Sequence, residues 1–96
     1  MKLLSVVPAN DGIHKLAATF EGESGRTKTT KFGAKGMTDY LQSKDPERRE
    51  RYRARHKKDL ATGDPTRAGF LSWNLLWGSS TVLAQNIRAY KNKYNL

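Results

Sequence analysis

Arg48, Arg49, Arg51, Arg53, Arg55, Lys57 and Lys58 fall within eleven consecutive positions. Side chains of this type at this density neutralise phosphates and release condensed counterions. Arginine outnumbers lysine in the run, which suits bidentate contact with phosphate oxygens. Lys28, Lys31 and Lys35 extend the cationic set if the third predicted strand lies beside the run. Tyr52 and His56 are interleaved with the arginines, and Asp39 and Tyr40 lie just upstream, so an acid-base centre that cleaves phosphodiesters can be drawn from Asp39, Tyr52 and His56. No second histidine at a telling spacing, no carboxylate pair and no nucleophile elbow accompanies it. The expectation is therefore a non-enzymatic protein with His56 as a packing residue. Two histidines and no cysteine give no basis for a zinc site, a disulfide or a cofactor. Gly33 and Gly36, with Lys35 between them, can form an anion-binding nest, but a tight turn explains them more simply.

The element that must carry these groups is a helix over residues 45–61. Asp45 is suited to cap its first amides, Pro46 has φ already set for the first helical position, and Glu47 complements the dipole. Thr62, Gly63, Asp64 and Pro65 stop it. Tyr52, His56 and Leu60 recur every four residues as a thin apolar seam, which leaves the remaining surface cationic. A plainer alternative is a solvated helix whose charges pair internally, Glu47 with Arg51 and Glu50 with Arg53. Charge counting favours an external partner: of the net +9, the segment Lys44 to Lys58 alone contributes +5. Such concentration fits nucleic acid, an acidic protein surface or an anionic headgroup layer.

Ninety-six residues allow one domain, residues 1–96, of α+β class. Residues 1–33 are written in strand language. Leu3 to Val7, Ile13 to Glu21 and Arg26 to Phe32 are separated by turn-forming clusters around Asn10-Asp11-Gly12 and Gly22 to Gly25. This predicts an antiparallel meander of three strands, with Leu16, Ala18 and Phe20 on the core side. A glycine-containing connector spans 34–44. Residues 66–96 form a two-helix part: one helix capped by Thr66, broadly apolar through Phe70, Leu71, Trp73, Leu75, Leu76 and Trp77, and one capped by Ser79 or Ser80. Leu83, Ile87, Tyr90 and Tyr94 continue the second at amphipathic spacing, and the two tyrosines are expected to pack with wet hydroxyls. The short apolar run at the N-terminus reads as a strand and not as a signal peptide, and no segment is long enough to span a membrane. An intracellular or intravirion setting, without secretion or membrane insertion, is expected.

At Phe32-Gly33-x-x-Gly36-x-x-Asp39-Tyr40, Lys44-Asp45, Arg48-Arg49, Tyr52 and Arg55-His56, followed by Ala68-Gly69-Phe70-Leu71-Ser72 and Leu75-Leu76-Trp77, the chain resembles a small uncharacterised family of basic proteins from large DNA viruses, including those of algae. It departs from that pattern at Ser43, where related sequences often carry histidine. The resemblance implies a viral or virus-derived protein with a virion-associated or genome-associated role, and it supplies no catalytic residue. Together with the charge pattern it predicts a nucleic-acid-binding protein, with Arg48, Arg49, Arg51, Arg53, Arg55, Lys57 and Lys58 as the phosphate contacts. The alternative is a minor capsid or cement protein whose cationic helix meets an acidic capsid surface. A small nuclease centred on Asp39, Tyr52 and His56 is the remotest reading.

Overall fold

The computed structural model describes residues 1–96. Three strands, β1 (Lys2–Pro8), β2 (His14–Glu21) and β3 (Thr27–Ala34), form an antiparallel meander in the order β1-β2-β3. Alternation decides which face is covered: Leu3, Ala18, Phe20 and Phe32 are buried, with Leu3 opposite Phe20 across one ladder and Leu16 opposite Phe32 across the other. A bulge between Leu3 and Ser5 places Leu4 outside the pairing and half exposed. On the uncovered face Thr19 and Thr29 pair through their hydroxyls at 3.0 Å.

The helical part follows and closes over the Leu3-Phe20-Phe32 face, so the class is α+β as the periodicity predicts. Its details differ from the expected three helices. The connector holds an extra single turn, α1 (Tyr40–Ser43), because Asp39 caps it by accepting from Gln42 N at 3.1 Å and Lys44 ends it in the left-handed region at φ 53°. The basic helix α2 (Pro46–His56) starts as predicted, with Asp45 accepting from the amides of Glu47 and Arg48. It is α-helical only to His56 and tightens into a 3₁₀ segment over Lys57–Thr62, which Gly63 ends at φ 64°. Leu60 still reaches the core from that segment.

The central helix is α-helical only as α3 (Ala68–Leu71) and then widens into a π turn over Ser72–Leu76, where Trp77 N bonds back five residues to Ser72 O at 3.1 Å. Asn74 supplies the cause, since its side-chain amide takes the Phe70 carbonyl at 2.9 Å and competes with the normal ladder. Gly78 completes the closure: a Cβ there would sit 2.3 Å from Asn74 O. Thr66 is not the cap expected of it. Its amide and hydroxyl both donate to Asp64, and Arg67 occupies the cap position without a side-chain bond. These two donations, the hydroxyl first, hold the Asp64 carboxyl below its ordinary pKa.

The last helix, α4 (Leu83–Tyr94), is also uncapped by Ser79 or Ser80, since Val82 is its cap residue. Ser80 serves the preceding turn, where its hydroxyl accepts from Val82 N and its own amide donates to buried Asn86. Asn86 spends its NH₂ on the carbonyls of Leu75 and Ser80 at 3.0 and 2.8 Å, joining the π turn to α4. Phe70, Leu71, Leu75, Leu76, Trp77 and Tyr90 complete the core, so the predicted packing role of the large C-terminal side chains holds for them. The Tyr90 hydroxyl is not wet: it donates to the Pro65 carbonyl, and burial pushes its pKa up.

Candidate functional site

At about 100° per residue, the side chains of α2 divide into two arcs. Tyr52, His56, Arg49 and Arg53 turn inward and are half-buried, whereas Arg48, Arg51 and Arg55 turn outward and are exposed, as are Lys57 and Lys58 beyond them. The inner arc is organised by rings. Tyr52 stacks on buried Trp77 with centroids 4.2 Å apart and an 8° interplanar angle, and His56 stacks on the other side of Tyr52, also at 4.2 Å.

Arg49 and Arg53 belong to the packing of this face and not to the predicted cationic surface. The helical segment Ala68–Leu76 ends inside the domain, and its last carbonyls need donors. Arg53 Nη1 donates to Trp73 O at 3.2 Å and to Trp77 O at 2.8 Å, and Arg49 Nε donates to Gly78 O at 2.7 Å. The Arg53 guanidinium also lies 3.4 Å from the Trp73 ring centroid, and the Trp73 indole N–H returns a bond to Arg53 O. Burial, and then the neighbouring Arg49 charge, lowers the Arg53 pKa. A cation at the end of a buried helical segment meets a partial negative charge, and this is why two arginines are drawn inward.

The outer arc has no such engagement. The only ion pair made by an arginine of α2 is Arg49 with Glu50, at 3.3 Å, so the internal pairs Glu47–Arg51 and Glu50–Arg53 do not form. Arg48, Arg51, Arg55, Lys57 and Lys58 therefore stand without an intramolecular carboxylate. The strand lysines do not extend this surface as a set. Lys28 donates to the Thr66 hydroxyl at 2.9 Å, because β3 packs along α3. Lys31 faces away from the helices, 3.6 Å from Asp11. That carboxyl is held well below the usual range, first by the His14 amide, then by the His14 side chain and the Ile13 amide. Lys35 is exposed and lines a groove that shares Lys15, Met37 and Thr38 with the cleft described next.

Between α2, the end of β3 and the π turn lies a cleft of about 360 Å³. Arg48, Arg55 and His56 line one side, Lys15 and Asp39 the other, and Leu76 and Trp77 contribute apolar surface. The fold thus brings Asp39, Tyr52 and His56 together, but not as a catalytic trio. Asp39 is buried and fully committed: one oxygen takes the Gln42 amide and the other takes Lys15 Nζ at 2.7 Å. The partner of His56 is Asp59, whose Oδ2 lies 3.1 Å from Nδ1. Gly69 lets α3 approach Asp59 closely, since a Cβ at Gly69 would lie 2.9 Å from the Asp59 Cβ. Burial, then the Asp59 charge, raises the Tyr52 pKa, although the Ser72 hydroxyl beside it works the other way.

Asp59 and Lys15 were absent from the residues singled out by sequence. His56-x-x-Asp59 is an i, i+3 spacing that places two side chains on one helical face and offers a signal for Asp59. Lys15 had none, because its partner is twenty-four residues away. With Nδ1–H donating to Asp59, His56 keeps Nε2 free of any protein partner, so it can accept a proton there or, once protonated, donate to an anion.

No helix is long and apolar enough to cross a membrane. No curated protein and no solved structure matches the chain. Residues 4–56 match the model of a family of unknown function, DUF5754. The match takes in β1 from Leu4 onward, β2, β3, α1 and α2, and it ends at the histidine of the ring stack. Because these residues are more than half of the chain, the protein belongs to the DUF5754 family.

Proposed function

We propose that this is a non-enzymatic nucleic-acid-binding protein whose contact surface is the outer arc of α2, with Arg48, Arg51 and Arg55 as its centre and Lys57 and Lys58 as its continuation. The observation that carries the reading is that these five cations are exposed and lack any carboxylate of their own chain. Arg48, Arg51 and Arg55 fall within about 60° of helix circumference, so one strip of surface meets an external polyanion. Arginine on a rigid helix gives phosphate contacts that fix orientation without reading sequence. The resemblance to basic proteins of large DNA viruses favours a viral genome or its transcripts as the polyanion, inside the infected cell or the particle.

The test is an electrophoretic mobility assay with duplex DNA, single strands and RNA over a salt series. Affinity is expected to fall steeply with salt, by about 0.9 log unit per log unit of salt for each duplex phosphate neutralised. Reversing Arg51 and Arg55 to glutamate is expected to abolish binding while the far-ultraviolet spectrum and melting temperature stay in place. Binding that ignores salt, or survives the reversal, overturns the reading. A protein that ignores nucleic acid but is recovered stoichiometrically with genome-free capsids would replace it with the structural role.

A further inference from the structure

The cleft beside α2 has a charge balance different from that of the open strip. Lys15 and Asp39 neutralise each other at 2.7 Å, and Asp59 neutralises His56 when the ring is protonated. What remains uncompensated is Arg48 and Arg55, two guanidiniums on one wall, with His56, the residue after Arg55, lining the same cleft and its Nε2 free of any protein partner. Two full positive charges match a dianion. A phosphate monoester carries about −1.5 to −2 near neutrality, whereas a backbone diester carries a single charge. His56 is prearranged for such a group: the Trp77-Tyr52-His56 stack fixes the ring plane and Asp59 fixes its rotation. The volume of about 360 Å³ lies at the small end of ligand pockets and exceeds what a phosphate alone fills, and the exposed Met37 in its lining offers apolar surface to an attached sugar and base.

We infer that the cleft binds a phosphate monoester attached to a nucleoside, with Arg48, Arg55 and the Nε2–H of the imidazolium form of His56 as its donors. Where that monoester is the 5′-phosphate end of a strand, the inference rests on the proposed nucleic-acid binding. A free nucleotide would supply the same chemistry.

The experiment titrates the full chain with adenosine 5′-monophosphate, adenosine and inorganic phosphate while following the His56 ring signals by NMR. It then compares one oligonucleotide with a 5′-phosphate against the same oligonucleotide with a 5′-hydroxyl. Saturable His56 shifts with the monophosphate and none with adenosine are expected, together with about tenfold tighter binding of the 5′-phosphorylated strand. Arg48→Gln, at a side chain that bonds to nothing in the fold, is expected to remove that tenfold advantage. Lys57→Gln with Lys58→Gln, outside the cleft, is expected to weaken both strands alike and leave the monophosphate response intact. A monophosphate response without a strand-end advantage assigns the site to free nucleotides. Loss of strand binding with the response retained removes the nucleic-acid reading but not the cleft. Silent His56 signals with the monophosphate overturn the inference, whether or not strands bind.

Discussion

Arg49 and Arg53 sit four residues apart on α2, and so do Arg51 and Arg55, yet the fold gives the two pairs opposite work. The first pair satisfies carbonyls at the end of a buried helical segment, and the second is exposed and bonds to no group of its own chain. Charge count cannot separate them. The difference arises from where a second helix ends in space, and it shows that a basic helix can be half structural cement and half binding surface. A substitution that treats all its arginines alike would confound loss of binding with loss of fold.

The largest effect that would break the inner half is Gly78→Ala. A Cβ placed 2.3 Å from Asn74 O and 2.8 Å from Asn86 forces the turn that presents Gly78 O to Arg49 to move. We expect a loss of about 3 kcal/mol, measured by urea denaturation. Arg53→Ala removes two charge-assisted bonds and the stacking on Trp73, and is expected to cost about 2 kcal/mol. Arg53→Lys should recover little of this, because an ammonium cannot reproduce a planar guanidinium over an indole. Arg51→Ala, on the outer arc, is expected to change stability by less than about 0.5 kcal/mol in the same denaturation series. If Arg51→Ala and Arg53→Ala destabilised equally, the division of the helix would be wrong.

Acid gives the smallest effect and sharpens the contrast from another side. The carboxyls whose pKa values the fold lowers, Asp11 and Asp64, are in turns and not on α2. A lowered folded pKa means that their stabilisation is fully present above the unfolded value of about 3.9, and is lost as pH falls below it toward the folded value. Asp64→Asn is therefore expected to flatten the decline in thermal stability between about pH 4 and pH 2. The same change leaves the outer arginines without altered partners, so nucleic-acid affinity at neutral pH should not move.

Much of the scaffold was legible because its signals are local. Alternation over Leu16, Ala18 and Phe20 gave the covered face of β2, and Asp45-Pro46 gave the start of α2. Where a nearby side chain competes for the same polar group, periodicity and cap preference mislead. Thr66 and Ser80 have the chemistry of caps, but Asp64 and Asn86 claim them first. The π turn depends on Asn74 reaching back to Phe70 O, a contest between side chain and backbone that periodicity does not encode. For the candidate site, the basic run itself was plain, and the sorting of its members was not. Tyr52 and His56 were legible as a seam and the His56-x-x-Asp59 spacing offers Asp59, whereas Lys15 required the fold to bring β2 alongside.

The central claim is that the outer arc meets the polyanion. Its most direct test is the salt dependence of duplex binding by Arg51→Gln/Arg55→Gln against the unmodified protein. If both arginines neutralise phosphates, the slope of log affinity against log salt should become shallower by about 1.8, with the fold unchanged. An unchanged slope would contradict the account, because it would mean that these side chains release no counterions and that the charge of α2 serves some other purpose.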